Sequence, residues 1–371
     1  MNYPLSFIRL CTWAVVCFGQ LAVEAHAAQK ERIPLPNDCV TFTGRAATTE
    51  QGISYDWSGV YLQTRFSGTS IAVEIAESDT SYHNVFIDNR LTEKIKVYGK
   101  EPHAVILAKG LAKGTHTLRL QRATEGMYSK TTVSAVITEK QALLAPIAAK
   151  ERFIEVYGDS YTCGFGTESN RAEDKFLLET ENCNFAYGCI IARYFDADYQ
   201  LVCHSGQGII RNYGEKSQQS AENMLTRHDQ VFDTHDNSQK YDFVRKPDIV
   251  LVNLGTNDFS TIICPTPEQY TDNYLQLIES LRKHYGDTPI LCVTPHSAGR
   301  YLLAALTLLR ERCRQHAHVY FTEAMPDVIR YGHDLGSSWH PNYQGQRKIA
   351  MTLIPKISAI TGWSLESRTV E

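Results

Sequence analysis

The spacing of apolar residues changes near residue 148, and this change constrains the fold more than any other feature of the chain. Before it, apolar and polar residues alternate in four short segments, at residues 60–66, 71–75, 118–120 and 133–137. A period of two is typical of half-buried antiparallel strands, and turn-forming residues such as Ser67-Gly68 and Asp88-Asn89 lie between the segments. Many short strands at this spacing favour a β-sandwich, or jelly roll, which we predict over residues 30–147.

After Pro146 the apolar residues occur in short continuous runs, at residues 153–157, 199–203, 248–252 and 289–293. Such runs are typical of strands buried on both faces of a parallel sheet. The best marked of the intervening helices begins with Thr266 as N-cap and Pro267 in its first turn, and Gly286 ends it. Strands that alternate with helices predict an α/β domain over residues 148–371.

The first 27 residues are typical of an export signal. Arg9 precedes an apolar stretch of about 14 residues, which is shorter than the roughly 20 residues of a membrane span. Ala25-His26-Ala27 then provides a small-residue cleavage site. We therefore predict a signal peptide over residues 1–27, a secreted or periplasmic mature protein and no membrane association after cleavage.

The charge and the cysteines of the chain limit the classes of partner and cofactor that we expect. The net charge is −4, which argues against nucleic acid or an anionic membrane as the main partner. Cys203 and Cys292 lie in apolar runs and are predicted to be buried free thiols, whereas Cys183 and Cys189 are close enough in sequence to form a disulfide. No His/Cys cluster has the spacing of zinc ligands, so we expect neither a metal nor another cofactor.

Four polar segments follow predicted strands or lie near the C-terminus, at residues 158–160, 204–208, 255–258 and 338–342. Sheets of this kind place reactive groups just beyond the carboxyl ends of their strands. Each segment alone is most often only a turn, and a lone histidine is usually structural. Their joint occurrence in this order favours a catalytic site.

The residue types in these segments suit acyl transfer. Ser160 is the predicted nucleophile, and a serine hydroxyl attacks only when a base takes its proton. His340 is the predicted general base and acid. The backbone N–H groups of Ser160 and Gly206 and the side-chain amide of Asn257 are predicted to stabilise the oxyanion of the tetrahedral intermediate.

Together the segments resemble the four sequence blocks of the SGNH, or GDSL-like, hydrolase superfamily over roughly residues 150–365. The resemblance implies a flavodoxin-like α/β/α domain with Ser160 as nucleophile, Gly206 and Asn257 in the oxyanion hole, and His340 as base. A preceding jelly roll, with residues 157–166 and 205–214, makes the chain similar to carbohydrate esterase family 2. That family implies removal of acetyl groups from plant cell-wall polysaccharides such as xylan or glucomannan.

The chain departs from the superfamily pattern just before His340. The aspartate usually found three residues before the histidine, or two before it in some family 2 members, is replaced by Ser337 and Ser338. Neither serine carries the charge that stabilises an imidazolium. We therefore predict a Ser160–His340 dyad whose imidazole N–H is held by a backbone carbonyl or a serine hydroxyl, with Asp334 as the weaker candidate for a third member.

Several other residues near the blocks have two interpretations each. The aromatic rings of Trp339, Tyr213, Phe259 and Tyr161 are candidates for a sugar-stacking platform, or for core packing. Asp258 is expected to hold its loop through hydrogen bonds rather than to take part in the chemistry, and Arg211 and Asn212 are candidates for loop supports or for substrate contacts.

Three functions remain open from the sequence. The first is a carbohydrate O-acetyl esterase acting on an acetylated polysaccharide or oligosaccharide. The second is an SGNH lipase, thioesterase or arylesterase, although no long amphipathic lid is visible. The third is a non-catalytic glycan-binding protein, against which the four intact blocks argue. The N-terminal half is expected to pack on the catalytic domain, with Tyr55 and Trp57 in its core rather than on a glycan-binding face.

Overall fold

The structure is a computed structural model that describes residues 29–234, 239–325 and 327–371. The predicted signal peptide at residues 1–27 lies outside the described residues. Within the described ranges, every helix is too short or too polar to span a membrane.

The N-terminal half consists of two antiparallel sheets of six strands each. The first sheet contains β1 (Lys30–Pro34), β3 (Ala47–Thr49), β4 (Gly52–Tyr55), β6 (Ile71–Glu77), β9 (His103–Ala108) and β11 (Thr131–Glu139). The second contains β2 (Thr41–Thr43), β5 (Tyr61–Ser67), β7 (Thr80–Ile87), β8 (Arg90–Tyr98), β10 (Thr115–Arg122) and β12 (Leu144–Ala145). Apolar residues of both sheets join one buried cluster, which confirms the predicted sandwich.

The alternating pattern predicted the inner faces of these sheets correctly. Leu62 and Leu120 on the second sheet and Val73 and Val133 on the first are all fully buried. The turn at Asp88-Asn89 joins β7 to β8 with both residues in the left-handed region, as a two-residue hairpin of this twist requires.

The C-terminal half contains a five-stranded parallel sheet. Its strands are β13 (Arg152–Gly158), β14 (Ala197–Cys203), β15 (Ile249–Asn253), β16 (Ile290–Cys292) and β17 (Val319–Phe321). They are arranged in the order β14-β13-β15-β16-β17, which is the flavodoxin-like order and confirms the predicted α/β class. Because β13 is paired on both sides, its carboxyl end lies near the centre of the sheet edge.

Helices cover both faces of this sheet. They are α1 (Ser160–Cys163), α2 (Tyr187–Tyr194), α3 (Met224–Arg227), α4 (Pro267–Tyr285), α5 (Arg300–Arg312) and α6 (Tyr343–Thr361). Buried residues of α4 and α5 pack with the sandwich-side cluster, and those of α2 and α6 form a second cluster on the opposite face. A short hairpin of β18 (Leu335–Gly336) and β19 (His340–Pro341) precedes α6.

The start and the end of helix α4 are specified by residues of its own sequence. The Thr266 hydroxyl accepts a hydrogen bond from the Gln269 N–H at 3.2 Å, and the Gln269 side chain accepts one from the Thr266 N–H at 2.8 Å. This reciprocal cap satisfies two N–H groups that an α-helix leaves unpaired at its start. Gly286 ends the helix with a positive φ of 61°. The predicted start and end are confirmed.

The cysteines are all free thiols in the described part of the chain. Cys203 and Cys292 are fully buried, as predicted. The possible bridge between Cys183 and Cys189 is not formed; both thiols are buried in the cluster beneath α2.

The sandwich and the parallel sheet share a buried, hydrogen-bonded contact. Arg45 of the sandwich lies 3.3 Å from Glu155 of β13, and both side chains are fully buried. The Trp57 indole N–H donates to the Val231 carbonyl at 2.9 Å, which confirms that Trp57 belongs to the core. The two halves therefore pack as one body, with the last sandwich strand ending at Ala145 and the parallel sheet beginning at Arg152.

Candidate active site

Ser160 lies on a sharp turn at the carboxyl end of β13. Asp159 is the N-cap of α1, and its carboxylate accepts a hydrogen bond from the Tyr161 N–H at 3.1 Å. A Cβ at Gly158 would lie 1.9 Å from the Thr162 hydroxyl, so only glycine allows the strand to enter the helix this tightly. The turn fixes Ser160 at the first position of the helix with 6% of its surface exposed.

His340 approaches Ser160 from the β18–β19 hairpin. The Ser160 Oγ lies 2.8 Å from the His340 Nε2, within hydrogen-bond distance. On the other side of the ring, Nδ1 lies 3.0 Å from the backbone carbonyl oxygen of Ser338. This carbonyl can only accept a hydrogen bond, so Nδ1 carries the proton and Nε2 is free to accept one from the serine.

The turn that presents the Ser338 carbonyl has an unusual backbone. Ser338 and Trp339 both have positive φ angles, 52° and 58°, which non-glycine residues rarely adopt. Two hydrogen bonds hold it, from the Ser338 N–H to the Asp174 carbonyl at 3.0 Å and from the Trp339 N–H to the Ala172 carbonyl at 3.1 Å. The segment that follows α1 thus stabilises the turn that orients His340.

Asp334 has other partners. Its Oδ2 accepts a hydrogen bond from the Arg330 N–H at 2.6 Å and lies 2.5 Å from the Lys348 Nζ on α6. The carboxylate is almost fully buried. The Nδ1 position that a third catalytic residue would occupy is taken by Ser338, so Asp334 ties the hairpin to α6.

The proposed oxyanion donors come together at the ends of β13, β14 and β15. The backbone N–H groups of Ser160 and Gly206 have no acceptor within the described residues. Gly206 has a φ of +78°, which favours glycine. The Asn257 Nδ2 donates to the Gln207 carbonyl at 2.9 Å and to the Asp159 carboxylate at 3.2 Å, so both amide hydrogens have protein acceptors and the amide is held beside the Ser160 turn.

Asp258 holds the loop that carries Gly206. Its carboxylate accepts three backbone hydrogen bonds, from Ile209 at 3.0 Å, Ile210 at 2.9 Å and Arg211 at 3.0 Å. Burial raises the pKa of Asp258 to about 6, although these three bonds oppose that shift. The predicted loop-supporting role of Asp258 is confirmed.

Arg211 and Asn212 support the same region, as predicted. The fully buried Arg211 guanidinium donates to the Asn257 carbonyl at 3.1 Å. The Asn212 side-chain oxygen accepts from the Gly208 N–H at 3.2 Å. These contacts connect the second and third sequence blocks into one rigid surface.

Burial sets the charge state of the site. It lowers the pKa of His340 below 6.5, although the hydrogen bond to the Ser338 carbonyl opposes the shift. Burial also lowers the pKa of His296 to about 4 and raises that of Asp159 to about 7. At neutral pH the His340 imidazole is therefore uncharged and able to take a proton.

The four aromatic candidates divide into two groups. Trp339 is 55% exposed and Tyr213 is 70% exposed, so both offer a free ring face beside the site. Phe259 packs edge-on against Tyr270, with ring centroids 5.3 Å apart, and belongs to the core. Tyr161 is buried with its ring 5.4 Å from that of His340.

Sequence reasoning missed an aromatic stack behind the base. Phe165 lies 4.3 Å from His340 and 4.0 Å from Phe176, measured between ring centroids. Tyr128 of the sandwich lies 5.8 Å from Phe176 on its other side. The link from Tyr128 to the base depends on how the two halves dock, for which the sequence carries no local signal. His296, by contrast, follows β16 and was identifiable by its place at a strand end.

One cluster among the described residues has the chemistry of metal ligands. Single ligand atoms of Glu125, Cys163 and Glu181 all lie within 4.8 Å of one another, and all three residues are buried. Cys163 is the last residue of α1, and Glu125 comes from the connection between β10 and β11 of the sandwich.

Two family models match the chain. The one described as Carbohydrate esterase 2 N-terminal matches residues 42–146, and the one described as GDSL-like Lipase/Acylhydrolase matches residues 154–353.

Curated relatives include a protein named cellulase/esterase CelE from Acetivibrio thermocellus. It is 29% identical over 88% of this chain, which spans only 40% of that relative's length. A Cellvibrio japonicus protein named acetylxylan esterase / glucomannan deacetylase is 28% identical over 83% of this chain and 86% of its own.

Among solved structures, a family two carbohydrate esterase from Clostridium thermocellum, described in complex with cellohexaose, superposes with a TM-score of 0.81. It is 28% identical and covers 88% of this chain and 100% of that one. A family two carbohydrate esterase from Cellvibrio japonicus shares the fold with a TM-score of 0.80 at 24% identity, over 91% of this chain and 99% of its own.

Proposed function

Because the chain belongs to the GDSL-like lipase/acylhydrolase family and carries the N-terminal domain of carbohydrate esterase family 2, we propose that it removes O-acetyl groups from a polysaccharide. One observation supports hydrolysis by a serine nucleophile. Ser160 Oγ lies 2.8 Å from His340 Nε2, while the opposite ring nitrogen faces a backbone carbonyl. This arrangement suits a serine nucleophile activated by a single neutral base.

Acylation begins when His340 Nε2 takes the hydroxyl proton as Ser160 Oγ attacks the acetyl carbonyl carbon. The carbonyl oxygen gains negative charge, which the N–H groups of Ser160 and Gly206 and the Asn257 amide stabilise. The tetrahedral intermediate then collapses, and the sugar oxygen leaves with the proton from His340. The product of this half-reaction is an acetyl ester on Ser160.

Deacylation repeats these steps with water as the nucleophile. His340 takes a proton from water, hydroxide attacks the acetyl-Ser160 carbonyl, and the same donors hold the oxyanion. Collapse returns the proton to the Ser160 oxygen and releases acetate. The Ser338 carbonyl holds the imidazole orientation throughout, because it accepts the Nδ1–H in both ring charge states.

The substrate class is a plant cell-wall glycan such as acetylated xylan or glucomannan. The activity named for the Cellvibrio relative and the cellohexaose complex of the Clostridium structure support a glycan of this kind. The exposed rings of Trp339 and Tyr213 offer the flat apolar faces on which sugar rings stack. Because such glycans are extracellular, this substrate also agrees with residues 1–27 acting as a signal peptide.

The test is the rate of acetate release from acetylated xylan and glucomannan, with 4-nitrophenyl acetate and a long-chain 4-nitrophenyl ester for comparison. We expect the glycans and the acetyl ester to be hydrolysed faster than the long-chain ester, and Ser160→Ala to abolish hydrolysis. Faster turnover of the long-chain ester would instead indicate a lipase. Equal acetate release by wild type and Ser160→Ala would refute the serine mechanism.

The aromatic platform is tested separately. Trp339→Ala is expected to raise the KM for acetylated glycan about 5- to 10-fold, because one stacked ring contributes on the order of 1 kcal/mol. The KM for 4-nitrophenyl acetate, which has no sugar, should not change. Tyr98→Ala is the matched control, since Tyr98 is also an exposed aromatic residue but lies at the end of β8 on the sandwich.

A further inference from the structure

Glu125 reaches from the sandwich to the oxyanion loop. It lies in the connection between β10 and β11, yet its Oε2 accepts a hydrogen bond from the Ser205 N–H at 2.7 Å. Glu125 is fully buried, and Ser205 directly precedes Gly206. We propose that Glu125 is a positioning residue for the oxyanion hole, supplied to the catalytic half by the N-terminal sandwich; this inference rests on the proposed esterase function.

The same carboxylate also contacts the helix that carries the nucleophile. The Cys163 thiol, three residues after Ser160, lies 3.4 Å from the Glu125 Oε2 as a hydrogen-bond donor. One oxygen therefore binds both the segment with the Gly206 donor and the helix with Ser160. Oxyanion stabilisation requires donors fixed relative to the attacked carbon, and a shared anchor of these two segments serves that requirement.

A second buried carboxyl group lies beside Glu125. Glu181 is fully buried, and single ligand atoms of Glu125, Cys163 and Glu181 all lie within 4.8 Å of one another. Burial and the neighbouring Glu125 raise the pKa of Glu181 well above its usual range. Substitution of Glu181 therefore tests whether this neighbour contributes to the contact between Glu125 and Ser205.

A separate contact keeps the loop attached when Glu125 is changed. The His204 Nδ1 lies 2.9 Å from the buried Asp233 carboxylate, and the Asp233 N–H donates to Asp56 of the sandwich at 2.8 Å. Loss of Glu125 should therefore misplace the Ser205 end of the loop without releasing the loop. Misplacement of a reacting group by about 1 Å costs on the order of 100-fold in rate.

The test compares Glu125→Ala with Glu125→Gln on 4-nitrophenyl acetate. Glu125→Ala is expected to lower kcat about 10- to 100-fold with the KM unchanged within a few-fold, because only the transition-state oxyanion uses these donors. Glu125→Gln keeps an acceptor for Ser205 and offers an amide N–H to Glu181, so kcat should return to within a few-fold of wild type. The Ki of a boronic acid, which forms a tetrahedral adduct with Ser160, should rise in Glu125→Ala in proportion to the fall in kcat/KM.

Three further variants distinguish a positioning role of Glu125 from a contribution to the stability of the fold. Glu181→Gln keeps the size of the side chain beside Glu125, which still binds Ser205 in this variant, and should keep wild-type kcat. Glu125→Met fills the space of the side chain without an acceptor and should match Glu125→Ala. Tyr61→Phe removes another buried bond between the halves, to Asp198 at the amino end of β14, and should leave kcat unchanged.

Several results would overturn the inference alone. They are a wild-type kcat in Glu125→Ala or Glu125→Met, a loss in Glu125→Gln or Glu181→Gln equal to that in Glu125→Ala, or one metal ion per chain in the purified protein by elemental analysis. Hydrolysis that does not depend on Ser160 would instead overturn the proposed function and, with it, this inference.

Discussion

At the scale of single residues, the proposed base His340 is oriented by a neutral group. The Ser338 carbonyl fixes the orientation and tautomer of the ring through one hydrogen bond, but it gives the imidazolium less electrostatic stabilisation than a carboxylate would. The buried ring therefore holds a proton weakly, which agrees with its lowered pKa. The left-handed backbone at Ser338 and Trp339 places this carbonyl at the imidazole, where the superfamily usually has a charged third residue.

Asp334→Asn distinguishes a dyad from a triad. We expect kcat to stay within a few-fold of wild type, because the carboxylate binds Lys348 and Arg330 and not the imidazole. The free energy of unfolding should fall by about 1–3 kcal/mol, since a buried charged acceptor is lost. Steady-state kinetics and urea denaturation measure the two effects. A fall in kcat as large as that of His340→Ala would assign Asp334 to the catalytic site.

The acid limb of the pH profile follows from the burial of His340. Only the neutral ring accepts the Ser160 proton, so kcat/KM should fall as the pH decreases through the His340 pKa. Because burial lowers that pKa, the midpoint of the limb should lie below 6.5. The measurement is kcat/KM for an uncharged acetyl ester between pH 4 and 9.

Asp159 is the other group that could cause an acid limb, since burial raises its pKa to about 7. Asp159→Asn removes this titration while it keeps a side-chain acceptor at the N-cap of α1. The limb should persist in the variant with an unchanged midpoint. Its disappearance would assign the titration to Asp159.

At the scale of elements, the loop between β14 and α3 is specified by its own packing. The Asp258 carboxylate accepts hydrogen bonds from three successive N–H groups of this loop. Gly208 lies where the loop and the segment that carries Asp258 come closest. A Cβ at Gly208 would lie 2.0 Å from the Arg211 carbonyl and 2.6 Å from Asp258. The loop therefore has no room for a larger residue at this position.

Gly208→Ala should displace the loop and with it the Gly206 donor. We expect kcat to fall about 100-fold, comparable to loss of one oxyanion donor, with a lowered melting temperature. Gly214→Ala is the matched control in the same loop, because its Cβ would meet nothing within 4 Å. Its positive φ of 74° should cost only about 1 kcal/mol of stability and leave kcat near wild type. Equal losses of kcat in both variants would show that the packing at Gly208 is irrelevant.

Element prediction succeeded here where the determining interactions are local. The capping residues of α4 and the alternating pattern of the sandwich strands lie within a few residues of what they determine. Three of the four candidate segments follow parallel strands, whose carboxyl ends lie at one edge of the sheet, and the fourth lies in the β18–β19 hairpin. A backbone carbonyl was one of two predicted acceptors for the imidazole N–H of His340, beside a serine hydroxyl. The sequence could not decide between them, because the left-handed backbone at Ser338 depends on contacts with residues 172–174. Glu125 was missed because it lies 80 residues from Ser205.

At the scale of the whole molecule, the two halves share buried charge as well as apolar surface. Glu155 lies in the middle of the parallel sheet, and Arg45 of the sandwich is its ion-pair partner. An unpaired buried carboxylate costs several kcal/mol, which is comparable to the net stability of a typical domain. We therefore expect the catalytic half to need the sandwich in order to fold.

We predict that residues 148–371 expressed alone do not fold stably. The full mature chain should show one cooperative calorimetric transition, with equal calorimetric and van't Hoff enthalpies. Limited proteolysis and circular dichroism of the truncated chain, beside the full chain as control, provide the direct measurement. Two separate transitions, or a folded and active fragment, would contradict the shared-core prediction.

The reach of Glu125 from the sandwich to Ser205 also has a consequence for protein engineering. We expect the catalytic half to lose activity when it is separated from the sandwich and fused to a different carbohydrate-binding module. A chimera that keeps residues 148–371 intact but replaces the sandwich would lose the hydrogen bond that the Ser205 N–H donates to Glu125. We expect fusion proteins to keep full activity only when the β10–β11 connection is transferred together with the catalytic half.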